Sequence, residues 1–295
     1  MRKFIIHIAS ASVYLALFMV IWHLFFMNYW SILESIEERT WIWGDSQMVQ
    51  GLDPNQLEQE KPTFSFARHG NGYFDLVSFS HRIPKKSDVI VGFGPLFYRY
   101  RNDRSRAGFQ LDAIKALFEV TESKAFEVKT TSILRNNVYH EFSVSNLDSD
   151  VHGRYSNKTD SLKRLDYIDK ILKVISKNEF SRLFEFKDRW FKHSISEIQG
   201  KSNRLTIISW PVCDQLLITD FNMIQNHYDS VLMDISNEFE LPIDTVIVNV
   251  ETDPFHDATH FSHHAVSLVT NRIQKELIEK SNSRIIVIRF NQTKD

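Results

Sequence analysis

The chain has 295 residues, a formal net charge of −2, and 43% hydrophobic and 13% aromatic residues. A near-balanced charge argues against a basic nucleic-acid binder, and the apolar and aromatic content against a disordered chain. Cys213 is the single cysteine; it excludes an intrachain disulfide and reads as a small buried residue rather than a reactive thiol.

Arg2-Lys3 precedes Phe4–Trp30, a run without Asp, Glu, Lys or Arg. About 20 apolar residues suffice to cross a bilayer. Tyr29 and Trp30 suit an interfacial aromatic belt, and Glu34, Glu37 and Glu38 follow. The basic pair before the span predicts a cytoplasmic amino terminus and an extracytoplasmic remainder, periplasmic or extracellular. Residues 1–31 are therefore expected to be one uncleaved transmembrane anchor. A cleaved signal peptide is the competing reading, but the run ends in Phe-Met-Asn-Tyr-Trp with no small-x-small site.

The remainder, 38–295, alternates strand and helix patterns. Strands are predicted over Thr40–Trp43, Thr63–Ala67, Asp88–Phe93, Leu205–Trp210, Asp244–Val250 and Arg284–Phe290. Helical stripes fall on Leu111, Ile114, Leu117 and Phe118, within Met223–Glu240, and on Val266, Val269, Ile273 and Leu277. Continuous apolar strands alternating with amphipathic helices predict an α/β fold, a three-layer α/β/α domain with a mostly parallel sheet. A polar region at about 122–203 reads as a helical insertion, its stripe formed by Leu165, Ile168, Leu172 and Ile175. Arg182, Lys187, Arg189, Lys192 and His193 tilt it positive, as a solvated helix face more than as an anion site.

Two segments carry chemistry. The first strand runs into Gly44-Asp45-Ser46-Gln47, and Asp257-Ala258-Thr259-His260 follows the strand ending at Val250. In parallel sheets functional groups gather beyond the carboxyl ends of the strands, so both segments are predicted on one rim. A serine hydroxyl becomes a nucleophile when a base takes its proton and a third group orients that base. Asp45 and Ser46 also suit a simple helix cap. Asp253/His256 offers a second Asp/His frame, and His256, His260, His263 and His264 with Asp253 and Asp257 are ligand types for zinc. No His-x-x-x-His pair sits beside a clear third ligand, so no metal and no cofactor is expected.

Gly44-Asp45-Ser46 after an apolar strand, with a late Asp257-x-x-His260, resembles the SGNH (GDSL-type) hydrolase superfamily. With the anchor, Trp43-Gly44-Asp45-Ser46-Gln47 and Gly51-Leu52-Asp53-Pro54, the chain resembles membrane-anchored bacterial SGNH-like proteins of cell-surface polysaccharide O-acylation. The resemblance covers about Trp41 to Gln274, the insertion aside, and implies an SGNH/flavodoxin-like sheet. It implies Ser46 as nucleophile, His260 as base and Asp257 as its orienting carboxylate. It implies oxyanion donors from the Ser46 amide and from a glycine after the second strand, Gly70 in preference to Gly72. The family's asparagine after the third strand is missing, since Gly92-Phe93-Gly94-Pro95 stands there; Asn71 or Asn102 would have to substitute.

The activity so implied is a serine O-acyl esterase or O-acyltransferase, acetyl being the expected group, on a cell-surface polysaccharide or glycolipid. A transferase would need a multi-span membrane acyl-transfer partner, because one helix cannot carry an acyl donor across the bilayer. The alternative is a weak or inactive envelope relative that binds glycan or a biosynthetic partner.

Overall fold

The computed structural model describes residues 7–8, 10–21, 40–53, 85–98, 161–175 and 180–292, with isolated positions between 57 and 83. The chain divides into two units, Met1–Glu38 and Arg39–Asp295. In the first, the described residues between 7 and 21 are helical. Ile8, Val13, Tyr14, Leu17, Phe18 and Ile21 are all exposed, so apolar side chains surround the helix. No helix among the described residues is long and apolar enough to cross a membrane. The rest of the expected span, to Trp30, lies outside the described residues.

The second unit is an α/β fold with an all-parallel sheet. Five strands form its body: β1 (Thr40–Gly44), β3 (Asp88–Phe93), β4 (Arg204–Ser209), β5 (Ile243–Val250) and β6 (Arg284–Gln292). A three-residue β2 (Thr63–Ser65) adds to the edge, giving the order β2-β1-β3-β4-β6-β5. The expected strands are all present, with ends shifted by one to two residues. Trp41-Ile42-Trp43, Val89-Ile90-Val91 and Leu205-Thr206-Ile207-Ile208 are buried at successive positions. Successive side chains point to opposite faces, so both faces of these strands are covered. Edge strand β5 departs from that rule. Val246, Val248 and Val250 are buried, while Thr245, Ile247 and Asn249 are exposed, so one of its faces meets solvent.

The helices are α1 (Ser46–Gly51), α2 (Ser161–Ile175), α3 (Phe180–Lys201), α4 (Asp214–Leu217), α5 (Phe221–Glu238) and α6 (His263–Glu279), with a 3₁₀ turn at Pro95–Tyr98. The expected helix around Leu111–Phe118 lies outside the described residues. Within the insertion, 161–175 and 180–201 are helical, but the stripe differs from the one expected. Leu165 is 58% exposed, and Arg164, Ile168 and Ile171 form the buried face. The basic residues of this region divide: Arg189 is exposed beside Glu185, as a solvated face predicts, while Lys187 turns into the fold. Lys187 is fully buried and donates to the Phe97 carbonyl at 2.8 Å. Lys192 meets Asp234 and Glu238 of α5 at 3.3 Å each.

Two features position the site. From β1 the chain steps to β2 on one side and to β3 on the other, which makes the carboxyl end of β1 a switch point of the sheet. Gly44 and Gly92 pair in register there. A Cβ on Gly44 would lie 2.2 Å from Met48 Cβ, and one on Gly92 2.4 Å from Met48 Sδ. Their missing side chains form the recess into which Met48 sinks, so α1 starts hard against the strand ends.

Candidate active site

Ser46 is the first residue of α1, directly beyond β1. Asp45 is the N-cap, in extended backbone, and its carboxylate accepts the Gln47 amide at 2.9 Å. The capping reading of Asp45 thus holds, and it leaves the Ser46 hydroxyl half-buried at the rim. Capping and presentation are one arrangement, because the cap sets the angle at which the chain turns from strand to helix.

The segment after β5 begins at the far edge, four strands from β1, roughly 19 Å at the usual spacing. It returns over the carboxyl ends as a tight loop. Phe255 and Phe261 form an antiparallel bridge, the His256 amide donates to the His260 carbonyl at 2.8 Å, and the Ser262 amide to the Pro254 carbonyl at 2.8 Å. Phe255 and Phe261 pack on Phe290 of β6 with centroids at 5.5 and 5.0 Å, and Phe261 on Trp210 at 5.6 Å. These rings anchor the loop to the sheet.

At its tip His260 Nε2 lies 3.0 Å from Ser46 Oγ, and His260 Nδ1 lies 2.7 Å from Asp257 Oδ2. Asp257 Oδ1 accepts the amides of Thr259 at 2.8 Å and His260 at 2.9 Å. The three-residue spacing has a local cause: one carboxylate oxygen caps the turn while the other reaches the ring of the fourth residue. Burial pushes the Asp257 carboxyl up, but the hydrogen bond and charge of His260 and the two amides outweigh it and hold the pKa below the ordinary value. An ionised Asp257 can only accept, so Nδ1 carries the proton and Nε2 is the acceptor, with the Ser46 hydroxyl donating. The arrangement can withdraw a proton from Ser46 and stabilise the imidazolium that results.

The other frame serves a different purpose. Asp253 caps the Phe255 amide at 3.0 Å and pairs with Arg164 of α2 at 2.6 Å. Among the described residues no group of three His, Cys, Asp or Glu is arranged to hold a metal. His263 and His264 open α6 on an exposed face. Gly70, Asn71 and Asn102, the oxyanion candidates besides Ser46, lie outside the described residues. Cys213 is buried, and its amide donates to the Ala258 carbonyl at 3.0 Å; burial raises its thiol pKa.

Two residues at the site have roles that their sequence positions do not reveal. Gln47 is 2% exposed, and its amide nitrogen donates to the carbonyls of Pro211 at 3.3 Å and Thr259 at 3.2 Å. It straps the serine turn to the loop beyond β4 and to the histidine loop at once. Gly94, at the end of β3, makes room for it, since a Cβ there would lie 2.2 Å from Gln47 Oε1. Arg164 reaches the base of the histidine loop; besides Asp253 it donates to the Phe255 carbonyl at 2.6 Å. The Gln47 motif position was visible, but its partners are 164 and 212 residues away. Arg164 gave no signal, because a cation on a polar helix reads as a solvent-facing one.

No protein-family model matches the chain, and no curated protein matches it.

Proposed function

We propose that the protein is a serine-dependent O-acyl esterase or O-acyltransferase of the SGNH type, with Ser46, His260 and Asp257 as its catalytic triad. The observation that carries this reading is the hydrogen-bonded chain from Ser46 Oγ through His260 to Asp257, joined across 214 residues of sequence. Its position at the switch point of a parallel sheet supports it.

In this mechanism Ser46 Oγ attacks the ester carbonyl while His260 Nε2 takes its proton. The oxyanion is met by the Ser46 amide, a first-turn donor of α1, and by a second donor expected at Gly70 or Asn71. The tetrahedral centre collapses, the alcohol leaves with the proton from Nε2, and the acyl group stays on Ser46. Water then completes an esterase cycle; a sugar hydroxyl completes a transferase cycle. The proposed acyl group is acetyl, and the proposed substrate a cell-surface polysaccharide or glycolipid. The transferase form adds a multi-span membrane partner that delivers the acyl group.

The apolar girth of the helix at 7–21 supports a membrane anchor. The proposal places the amino terminus in the cytoplasm and the Ser46 domain outside the membrane.

A non-catalytic glycan-binding relative is the second reading. The observation favouring it is that β3 ends in Gly92-Phe93 and is followed by Gly94, which offers no side-chain donor to an oxyanion. Hydrolysis of an aryl acetate by the wild type and Ser46→Ala separates the two. Ser46-dependent turnover supports the enzyme; equal background in both supports the binding protein.

A further inference from the structure

We propose that Arg164 is a positioning residue for His260, which makes α2 of the insertion part of the catalytic machinery rather than a flanking decoration; this rests on the triad reading above. The guanidinium is buried, at 6% exposure, and forks across the base of the histidine loop. Nη1 holds Asp253 Oδ2 and Nη2 holds the Phe255 carbonyl, both at 2.6 Å. Phe255 is one half of the bridge that closes the loop on Phe261, next to His260. One turn further along α2, the Tyr167 ring lies 6.2 Å from the His260 ring. The helix therefore meets the loop at its base through Arg164 and at its tip through Tyr167.

The loop is held on its other side by Gln47 at the Thr259 carbonyl and by the Cys213 amide at the Ala258 carbonyl. At the base the Phe255 and Phe261 rings rest on Phe290, and Arg164 adds the charged hydrogen bonds that fix the backbone there. Removing the guanidinium takes a charged donor from the Phe255 carbonyl and the ionic partner from the Asp253 carboxylate, which is 35% exposed. The loop then shifts at its base, and the His260–Ser46 distance becomes variable. A misplacement of about 1 Å at reacting groups can cost on the order of 100-fold in rate. Lysine at position 164 reaches one acceptor but not both, because it lacks the planar fork.

The test compares wild type, Arg164→Met, Arg164→Lys and Ser46→Ala in the full chain. Aryl acetate kinetics are read together with backbone amide exchange at His256 and Ser262, the amides that close the loop. Arg164→Met is expected to lower kcat by about 10–100-fold with KM within about twofold. Amide exchange at both positions should accelerate while the β3 and β4 amides keep their protection. Arg164→Lys should recover part of each effect. Wild-type kcat in Arg164→Met, or unchanged exchange at His256 and Ser262, overturns the proposal. A fall in kcat that Arg164→Lys does not relieve at all also overturns it. If wild type and Ser46→Ala show the same background rate, the triad reading fails, and the exchange data alone decide the clamp. Should Arg164→Met not fold, Asp253→Asn keeps an oxygen to cap the Phe255 amide while removing the charge that meets Arg164, and must move both readouts in the same direction.

Discussion

In the proposed triad Ser46, Asp257 and His260 divide one task, and each substitution should fail in its own way. Ser46→Ala removes the nucleophile and is expected to lower aryl ester turnover by about 10⁴–10⁶-fold without changing the fold. Asp257→Asn keeps the shape but no longer fixes the Nδ1 proton, and should cost about 10³–10⁴-fold. It should also flatten the acid limb of stability. Because the folded Asp257 carboxyl titrates below its unfolded value, its stabilisation is fully present above about pH 4 and fades as pH falls through the folded value. Denaturant midpoints of wild type and Asp257→Asn should therefore keep a constant gap from pH 7 down to about 4 and converge below it; a gap that persists unchanged under more acid conditions refutes the assignment. Gln47→Glu puts a carboxylate oxygen against the Pro211 and Thr259 carbonyls and should lower kcat by about tenfold or more. At this scale the meeting of Ser46, His260 and Asp257 was legible because it is partly local: Asp257 and His260 make a turn within four residues, and Ser46 follows a strand end. Arg164 and Gln47 act through partners that only the folded chain supplies.

Among the elements, the join between β1, β3 and α1 tolerates least. Gly44→Ala would bring a Cβ within 2.6 Å of the Gly92 carbonyl as well as against Met48, and Gly92→Ala would press on Met48 and on Trp210 Nε1 at 2.6 Å. Each is expected to destabilise by about 1–3 kcal/mol through overpacking and to displace Ser46; chemical denaturation with parallel turnover measurements checks both consequences. Strands were readable from their apolar runs because burial on both faces leaves few positions for polar residues, Thr206 among them. The exception is instructive. The Val-Ile-Val-Asn-Val core of β5 reads as fully buried, yet Ile247 is 57% exposed, because a strand at the sheet edge loses its cover on one face. The α2 stripe misled for a related reason. Leu165 and Arg164 are neighbours about 100° apart on the helix, and the guanidinium found buried acceptors while the leucine did not.

On the scale of the whole molecule, the fold brings a serine near one end of the chain to a histidine near the other. The parallel order β2-β1-β3-β4-β6-β5 puts all strand ends on one rim, and the loop after β5 crosses that rim to reach the switch point. That topology is what a sequence of alternating strands and helices implies in kind, though not in strand order: the sheet reverses β5 and β6, so the histidine loop starts at the outer edge. The proposed anchor belongs to this scale too. Deleting residues 1–31 should release the protein from membranes that otherwise retain it through an alkaline wash; a full-length chain that washes off contradicts the anchor.

The most direct measurement is covalent capture with a serine-directed phosphonate, located by peptide mass spectrometry in wild type, Ser46→Ala and His260→Ala. The account predicts one adduct on the Ser46 side chain, absent in Ser46→Ala and strongly slowed in His260→Ala. An adduct on another residue, or capture at Ser46 that proceeds equally well without the imidazole, would contradict it.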